Sequence, residues 1–249
     1  MTGAVAIGQV LFWGVSGALL LYIGIPWAVR NAWRATFRST VARSDCVCLT
    51  FDDGPDPRAT SPILQMLEKA GARATFFLLG ENVERYPDLA RQILEMGHEI
   101  GEHGYRHVHA WKAGPLQSVR DLQRGRKVLR TTLLLRGPVL LRPPYGKLNL
   151  ATLLYVLVLH KRLAFWSVDP RDYDHDAAEF VVQDVMERVR PGDVVLLHDG
   201  RTGASGGENV TLMATKAILD AMATRGYRLC TVSQALAYGG DRKGWVHDG

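Results

Sequence analysis

The sequence predicts an α/β fold, a (β/α) barrel of about seven parallel strands carried behind an N-terminal transmembrane helix. Three observations lead there. After Arg43, short apolar runs alternate with helix-period segments, with no linker, internal repeat or low-complexity stretch between them. Asp52, Asp53, His103, Arg142, Asp169 and His198 each lie just beyond an apolar run, and a barrel gathers the C-terminal ends of its strands around one mouth. A doubly wound sheet would usually carry a Gly-rich phosphate turn after its first strand, and no G-x-G-x-x-G follows Cys46–Phe51.

Taken in order, Met1 to Val29 has no charged side chain, and residues 10–27 are dense in Leu, Ile, Val, Phe, Trp and Tyr. About 20 apolar residues cross a bilayer, so a single uncleaved span is expected, with Trp13, Tyr22 and Trp27 at the interfaces. A cleaved signal peptide would want a basic stretch ahead of the apolar run, and none precedes it. Arg30, Arg34, Arg38 and Arg43 follow, with no acidic residue before Ser44. The expected boundaries are an anchor over 1–29, a basic juxtamembrane segment over 30–43, a folded domain over 44–236 and a tail over 237–249. The chain has 30 Lys+Arg against 25 Asp+Glu, so beyond Arg43 there remain 26 basic and 25 acidic residues. A body that is nearly neutral gives little reason to expect a phosphate-tracking surface, and no nucleic-acid partner is expected.

In the body, strands are expected at 46–51, 74–79, 98–102, 139–142, 163–168, 193–197 and 227–232. Helices are expected at 60–69, 88–96, 116–129, 148–160, 177–190 and 210–224. The helix over 148–160 is apolar nearly all round, which suits either a fully buried barrel helix or an exposed patch that brings the mouth near lipid. Charges at Val156 and Val158 are the expected probe of the second reading. Three cysteines are an odd count, and Cys46 and Cys48 share one face of the first strand. Buried free thiols are therefore expected. Together with the arginines that follow the span, they lean the domain toward the cytoplasm, but the side of the membrane stays open because a large following domain can override the charge rule.

Four groups of residues carry chemistry. Asp52 and Asp53 follow a strand in Thr50-Phe51-Asp52-Asp53-Gly54-Pro55, and adjacent carboxylates raise a pKa unless a cation is present; a solvated turn is the alternative. His103 and His107, at i and i+4, share a face if the segment is helical or tightly turned, and with Asp53 they would make a His₂-carboxylate metal site. Arg142-Pro143-Pro144-Tyr145-Gly146 fixes a turn that could aim the Tyr145 N–H at a developing oxyanion. His198 ends a strand and could serve as a general acid, its imidazolium held by a carboxylate of the Asp169-Pro170-Arg171-Asp172-Tyr173 loop. His98 and His109 are expected to be ordinary neighbours.

These elements resemble the polysaccharide deacetylases of carbohydrate esterase family four, the NodB-homology domain, over about Ser44 to Val232. The segment from Trp166 through Asp199, and Thr211-Leu212-Met213-Ala214, look most like the rhizobial NodB chitooligosaccharide deacetylases. The resemblance implies a distorted (β/α) barrel that removes acetyl groups from sugar polymers with a divalent metal, zinc first, with cobalt, nickel or manganese as alternatives. Position by position, Asp52 matches the family's general base, and Asp53, His103 and His107 its metal ligands. Arg142 matches the arginine that orients the base, Tyr145 the oxyanion donor, His198 the general acid and Asp172 the carboxylate that tunes it. Pro143, Tyr145, Tyr173 and Leu196 match substrate-contacting positions, Leu196 as the apolar wall of the acetate pocket. Two residues depart from the pattern: Gly104 replaces the usual Ser or Thr, removing a hydroxyl that ties down the histidine loop, and Tyr173 replaces Trp. The expected activity is N-deacetylation of N-acetylglucosamine-containing saccharides by a membrane-anchored enzyme. Two readings stand beside it, a deacetylase or deformylase of a lipid-linked amino sugar and a non-catalytic sugar-binding module.

Overall fold

Strand β1 (Cys46–Asp52) is buried at all seven positions, as a strand covered on both faces must be. In the computed structural model, which describes residues 2–200 and 210–240, β1 pairs in parallel with β2 (Thr75–Leu78) and β4 (Val194–His198), and β2 pairs with β3 (Glu99–Glu102). The short β5 (Arg228–Leu229) joins the N-terminal end of β1. The register sets Asp52 opposite His198, so polar side chains from two strands share one rim.

The expected strands at 139–142 and 163–168 shrink to single parallel bridges. Leu141 bridges Glu102 and Leu163, and Val168 bridges Val195. The path from β3 through Leu141 and Leu163 and back by Val168 to β4 closes the barrel, and the two reduced staves are what distorts it. Pro138, Pro143 and Pro144 bracket the first of them and cannot donate to a ladder. Side chains fill the thinned wall: Lys161 Nζ meets the buried Glu102 carboxylate at 2.5 and 2.6 Å, and Arg142, fully buried, lies with its guanidinium 4.0 Å from the centre of the Phe77 ring.

Outside the sheet lie α3 (Thr60–Lys69), α4 (Gly80–Arg85), α5 (Pro87–Glu95), α6 (Pro115–Thr132), α7 (Leu150–Val158), α8 (Ala178–Arg188), α9 (Val210–Thr224) and α10 (Val232–Gly240). Helix α4 is too short to give a periodic signal and was not expected. The tail expected from 237 is helical to Gly240, and its remainder lies outside the described residues. Helix α7 has two faces: Leu153, Tyr155 and Val156 are buried, whereas Leu154, Leu157 and Val158 are exposed.

At the N-terminus, α1 (Thr2–Leu19) passes through a π-helical turn, Leu20–Gly24, into α2 (Ile25–Val41). Ile7–Val41 is long and apolar enough to cross a membrane by length and composition. The helix does not stop at Val29. Its last turns bury Phe37 and Val41 in a cluster with Phe165, Val194 and Ala235, and the Phe37 and Phe165 rings meet edge-on at 5.9 Å.

The expectation of free thiols is corrected. Cys46 and Cys230 form a disulfide, and only Cys48 is free, buried with its Sγ 3.7 Å from Cys230. β5 brings Cys230 beside β1 across 184 residues of sequence, a closeness that an odd cysteine count conceals.

Candidate active site

Consecutive residues of a strand point to opposite faces, yet Asp52 and Asp53 are both buried in the mouth. Asp53 resolves this with φ of 74°, a left-handed turn that Asp tolerates better than most residues. Arg142 donates to Asp52 Oδ1 at 2.7 Å, to Thr50 Oγ1 at 2.8 Å and to the Phe165 carbonyl at 3.2 Å. Burial pushes the Asp52 carboxyl above the usual carboxylate range, although Arg142 and His198 pull the other way. A carboxylate held in this way accepts a proton more readily near neutral pH than a solvated one.

The histidine segment is a tight turn, not a helix: Gly104 has φ of 84° and His107 of 58°. Asp121 of α6 holds it, accepting from the backbone N–H groups of Tyr105 at 3.0 Å and Arg106 at 2.8 Å. A Cβ on Gly104 would lie 2.4 Å from Asp121 Oδ2. A carboxylate from a neighbouring helix thus ties the loop down, and the glycine makes room for it. Gly125, one turn along α6, lets the helix approach the Gly104 carbonyl; a Cβ there would lie 2.3 Å from that oxygen.

His103 Nδ1 donates to the Arg142 carbonyl at 2.7 Å. A carbonyl only accepts, so the proton sits on Nδ1 and the Nε2 lone pair faces inward. Burial brings the His103 pKa down to about 3, which keeps the ring neutral. Asp53 Oδ1 lies 3.5 Å from His103 Nε2 and 3.4 Å from His107 Nε2, and the three donor atoms fall within 4.8 Å of one another. The edge of a tetrahedron with arms of about 2.05 Å is about 3.3 Å, so this donor set fits a divalent cation such as zinc. Two imidazoles and one carboxylate leave a position open.

On the neighbouring strand β4, His198 Nδ1 donates to Asp172 Oδ1 at 2.7 Å. The other Asp172 oxygen accepts from the His198 backbone N–H at 2.9 Å and from Thr211 Oγ1 at 2.8 Å. Burial alone would lower the His198 pKa; the Asp172 bond and charge, with Asp52 and Asp53 beyond, reverse this and raise it to about 9. Tyr173 stands edge-on to His198 at 5.1 Å, and Leu196 lies two residues before His198 on the same face of β4. Tyr145 has φ of 56° in the short turn Pro144–Gly146, which the buried Pro143 enters and closes by accepting from Gly146 N–H at 2.7 Å. The Tyr145 N–H makes none of the backbone hydrogen bonds of that turn. Its ring lies 4.3 Å from that of His107.

Asp52, Asp53, His103, His107, Arg142, Tyr145, Asp172, Tyr173 and His198 are thus linked by contacts around one mouth. His98 is an ordinary neighbour, accepting from the Ala74 N–H. His109 is not: its ring packs 4.7 Å from Tyr145 at the rim. Asp169 turns away to cap its own loop through the Arg171 N–H. Two carboxylates were missed. Asp121 lies outside every motif. Asp199 follows His198 and is fully buried beneath the Asp52-Asp53 turn, its pKa pushed by burial to about 7 even though Thr60 Oγ1 donates to it at 2.5 Å. The glycines were its signal: a Cβ on Gly54 would meet the Asp199 carboxylate at 2.3 Å.

Comparison with known proteins gives a consistent picture. A family model described as polysaccharide deacetylase matches residues 40–161. A peptidoglycan-N-acetylglucosamine deacetylase of Bacillus cereus is 37% identical over 194 residues, 77% of this chain and 88% of that protein. A chitooligosaccharide deacetylase of Azorhizobium caulinodans is 32% identical over 191 residues, 74% of this chain and 90% of that one. The structure of the peptidoglycan deacetylase PdaC from Bacillus subtilis superposes with a TM-score of 0.70 at 30% identity, covering 81% of this chain and 94% of the other.

Proposed function

This chain belongs to the polysaccharide deacetylase family, and from that premise we propose that it is a membrane-anchored, metal-dependent hydrolase that removes the N-acetyl group from N-acetylglucosamine-containing saccharides. The observation that carries the reading is the pair of proton-handling groups at the ends of adjacent strands, Asp52 on Arg142 and His198 on Asp172, beside the Asp53, His103 and His107 donor set.

A divalent cation held by Asp53, His103 and His107, zinc first with cobalt, nickel or manganese as alternatives, would polarise the amide carbonyl and acidify a water. Asp52 takes the proton from the attacking water, and Arg142 fixes the carboxylate while it does so. The Tyr145 N–H donates to the carbonyl oxygen as negative charge gathers there. His198 gives its Nε2 proton to the departing nitrogen as the C–N bond breaks, leaving acetate and a free amine. Leu196 walls the acetyl methyl, Pro143 shapes the turn beside it, and the half-exposed rings of Tyr145 and Tyr173 flank the sugar.

Residues 7–27 are read as the span, and the Cys46–Cys230 disulfide favours an oxidising compartment for the domain, against the lean of the arginines. The test is acetate release from N-acetylglucosamine oligomers by the full chain. Activity should vanish with a chelator, return with zinc or cobalt, and be absent from Asp52→Ala. Oligomers bound but never deacetylated by metal-loaded protein would favour the binding-module reading.

A further inference from the structure

A second cavity lies beside the mouth. About 150 Å³ in volume, it is lined by Trp27, Arg30, Trp111, Gly146, Lys147 and Leu148. It is smaller than the roughly 300–1,000 Å³ of a site for a drug-sized ligand, so it suits one compact group. Two of its walls are cations. Arg30 donates from one terminal nitrogen to Asn31 Oδ1 at 2.8 Å, while its buried Nε has no hydrogen-bond partner. Lys147 Nζ lies 3.2 Å from His109 Nε2 and 4.6 Å from the centre of the Trp111 ring. Among the described residues, neither forms an ion pair with a carboxylate. Two cations lining one cavity with no acid between them suit an oxyanion.

The position of the cavity narrows the ligand. Arg30 is the first charged residue of the chain, directly after the apolar run that contains Trp27, where the headgroup layer of a bilayer would begin. Helix α7 extends the apolar surface at the same level. It packs against the Leu20–Gly24 turn, Asn149 at its start donates to Tyr22 Oη at 2.9 Å, and Leu154, Leu157 and Val158 are exposed, as are Leu20 and Leu21 of that turn. In the other direction the cavity leads to the active site. From Lys147 the contacts run to His109, from His109 to the Tyr145 ring, and from Tyr145 to His107. Gly146 belongs both to the cavity wall and to the Tyr145 turn; a Cβ there would lie 3.0 Å from the Arg30 guanidinium.

We propose that this cavity binds the phosphate of a lipid-linked saccharide, seated between Arg30 and Lys147, with the lipid on the apolar face of α7 and the N-terminal helix and the acetamido sugar reaching into the mouth. The proposal rests on the deacetylase reading and names a substrate class for it. A neutral polymer has no group for this site. A sugar phosphate with a lipid tail uses all three surfaces, and its phosphate fixes which sugar unit meets Asp53, His103 and His107.

The test uses the full chain in phosphatidylcholine nanodiscs, as wild type and as Arg30→Gln/Lys147→Gln. Acetate release is followed with an N-acetylglucosaminyl phosphate bearing a short isoprenoid tail, and with the uncharged glycoside of the same tail. Wild type should show a KM at least about tenfold lower for the phosphate, and the double variant should bring the two values together. Binding of citronellyl phosphate, measured by calorimetry, should weaken in the variant by a similar factor. No phosphate preference in wild type, or a preference that survives the substitutions, overturns the proposal. So does an equal loss on both substrates, which would mark damage to the fold. If the variant instead loses binding to phosphatidylglycerol vesicles while keeping the substrate preference, the cavity holds a bilayer headgroup, and the proposal again fails. Should wild type release acetate from nothing, the deacetylase reading falls, while the citronellyl phosphate measurement still decides whether the cavity is a phosphate site.

Discussion

Asp172→Asn separates charge from geometry at His198, the proposed proton donor. In the folded protein the His198 pKa stands at about 9: burial pulls it down, and the 2.7 Å bond to Asp172 with the surrounding carboxylates more than reverses this. A donor works only while protonated, so the alkaline limb of kcat/KM should fall through the His198 pKa. Removing the Asp172 charge and its hydrogen bond leaves burial less opposed, and the pKa should drop toward the ordinary value of 6.5. At pH 8 the protonated fraction then falls from about 0.9 to about 0.03, a loss of about 30-fold, while at pH 5.5 the loss from this source is under about twofold. Asparagine also disturbs the ring's orientation, but that cost is common to both pH values and divides out. The assay is acetate release by wild type and variant at the two pH values, with the His198 ring titration followed by NMR. An equal loss at pH 5.5 and pH 8 would refute the electrostatic argument and leave Asp172 as a geometric support alone.

Other outcomes follow from particular contacts. Restoring the family's serine as Gly104→Ser should destabilise the protein by about 1 kcal/mol or more, because the site needs a positive φ and the new Cβ would meet Asp121; a thermal melt reads this. Asp121→Ala should weaken zinc binding by about 10- to 100-fold, measured by competition with a chromogenic chelator, since the histidine loop loses its two backbone anchors. Cys46→Ser should lower stability by about 2–5 kcal/mol in denaturant titrations, and a reducing agent should do the same to wild type alone. On α7, Leu154→Glu and Val158→Glu should reduce partition onto lipid with stability changed by no more than about 0.5 kcal/mol, whereas Val156→Asp should unfold the domain, because Val156 is buried and Val158 is 73% exposed.

Strand β1 was legible because a strand buried on both faces leaves an unbroken apolar run, and the polar residues just past such runs marked the mouth. The staves at 139–142 and 163–168 were read as strands because their composition suits one, but their backbones make only single bridges. What replaces the missing ladder is side-chain chemistry, Arg142 and the Lys161–Glu102 pair, which has no periodicity to read. The site's donors were legible as motifs; its supports were not. Asp121 and Asp199 act through backbone N–H groups and close packing against glycines, so their meaning lies in positions near Gly104 and Gly54 in space, far from them in sequence. The disulfide was hidden for the same reason, since nothing in the spacing of Cys46 and Cys230 shows that β5 returns beside β1.

The boundary at Arg43 is where sequence and structure lead to different experiments. Read from charge alone, residues 30–43 are a linker between an anchor and a domain, and a chain beginning at Ser44 is the natural soluble form. In the fold those residues complete the domain: Phe37 and Val41 are buried against Phe165, Val194 and Ala235, and the Phe37 ring covers that of Phe165, next to the Trp166 side chain that packs on Arg142. Deleting two such buried side chains forfeits about 1.5–3 kcal/mol of burial each, a large part of the stability of an ordinary domain. A chain beginning at Ser44 should therefore melt well below the full chain and lose activity with its fold. A chain beginning at Ile25 sheds most of the apolar run yet keeps the docked turns, and it should melt close to the full chain and keep activity on soluble oligomers. Equal melting of the two shortened chains would show that α2 merely rests on the barrel and is not a structural element of it.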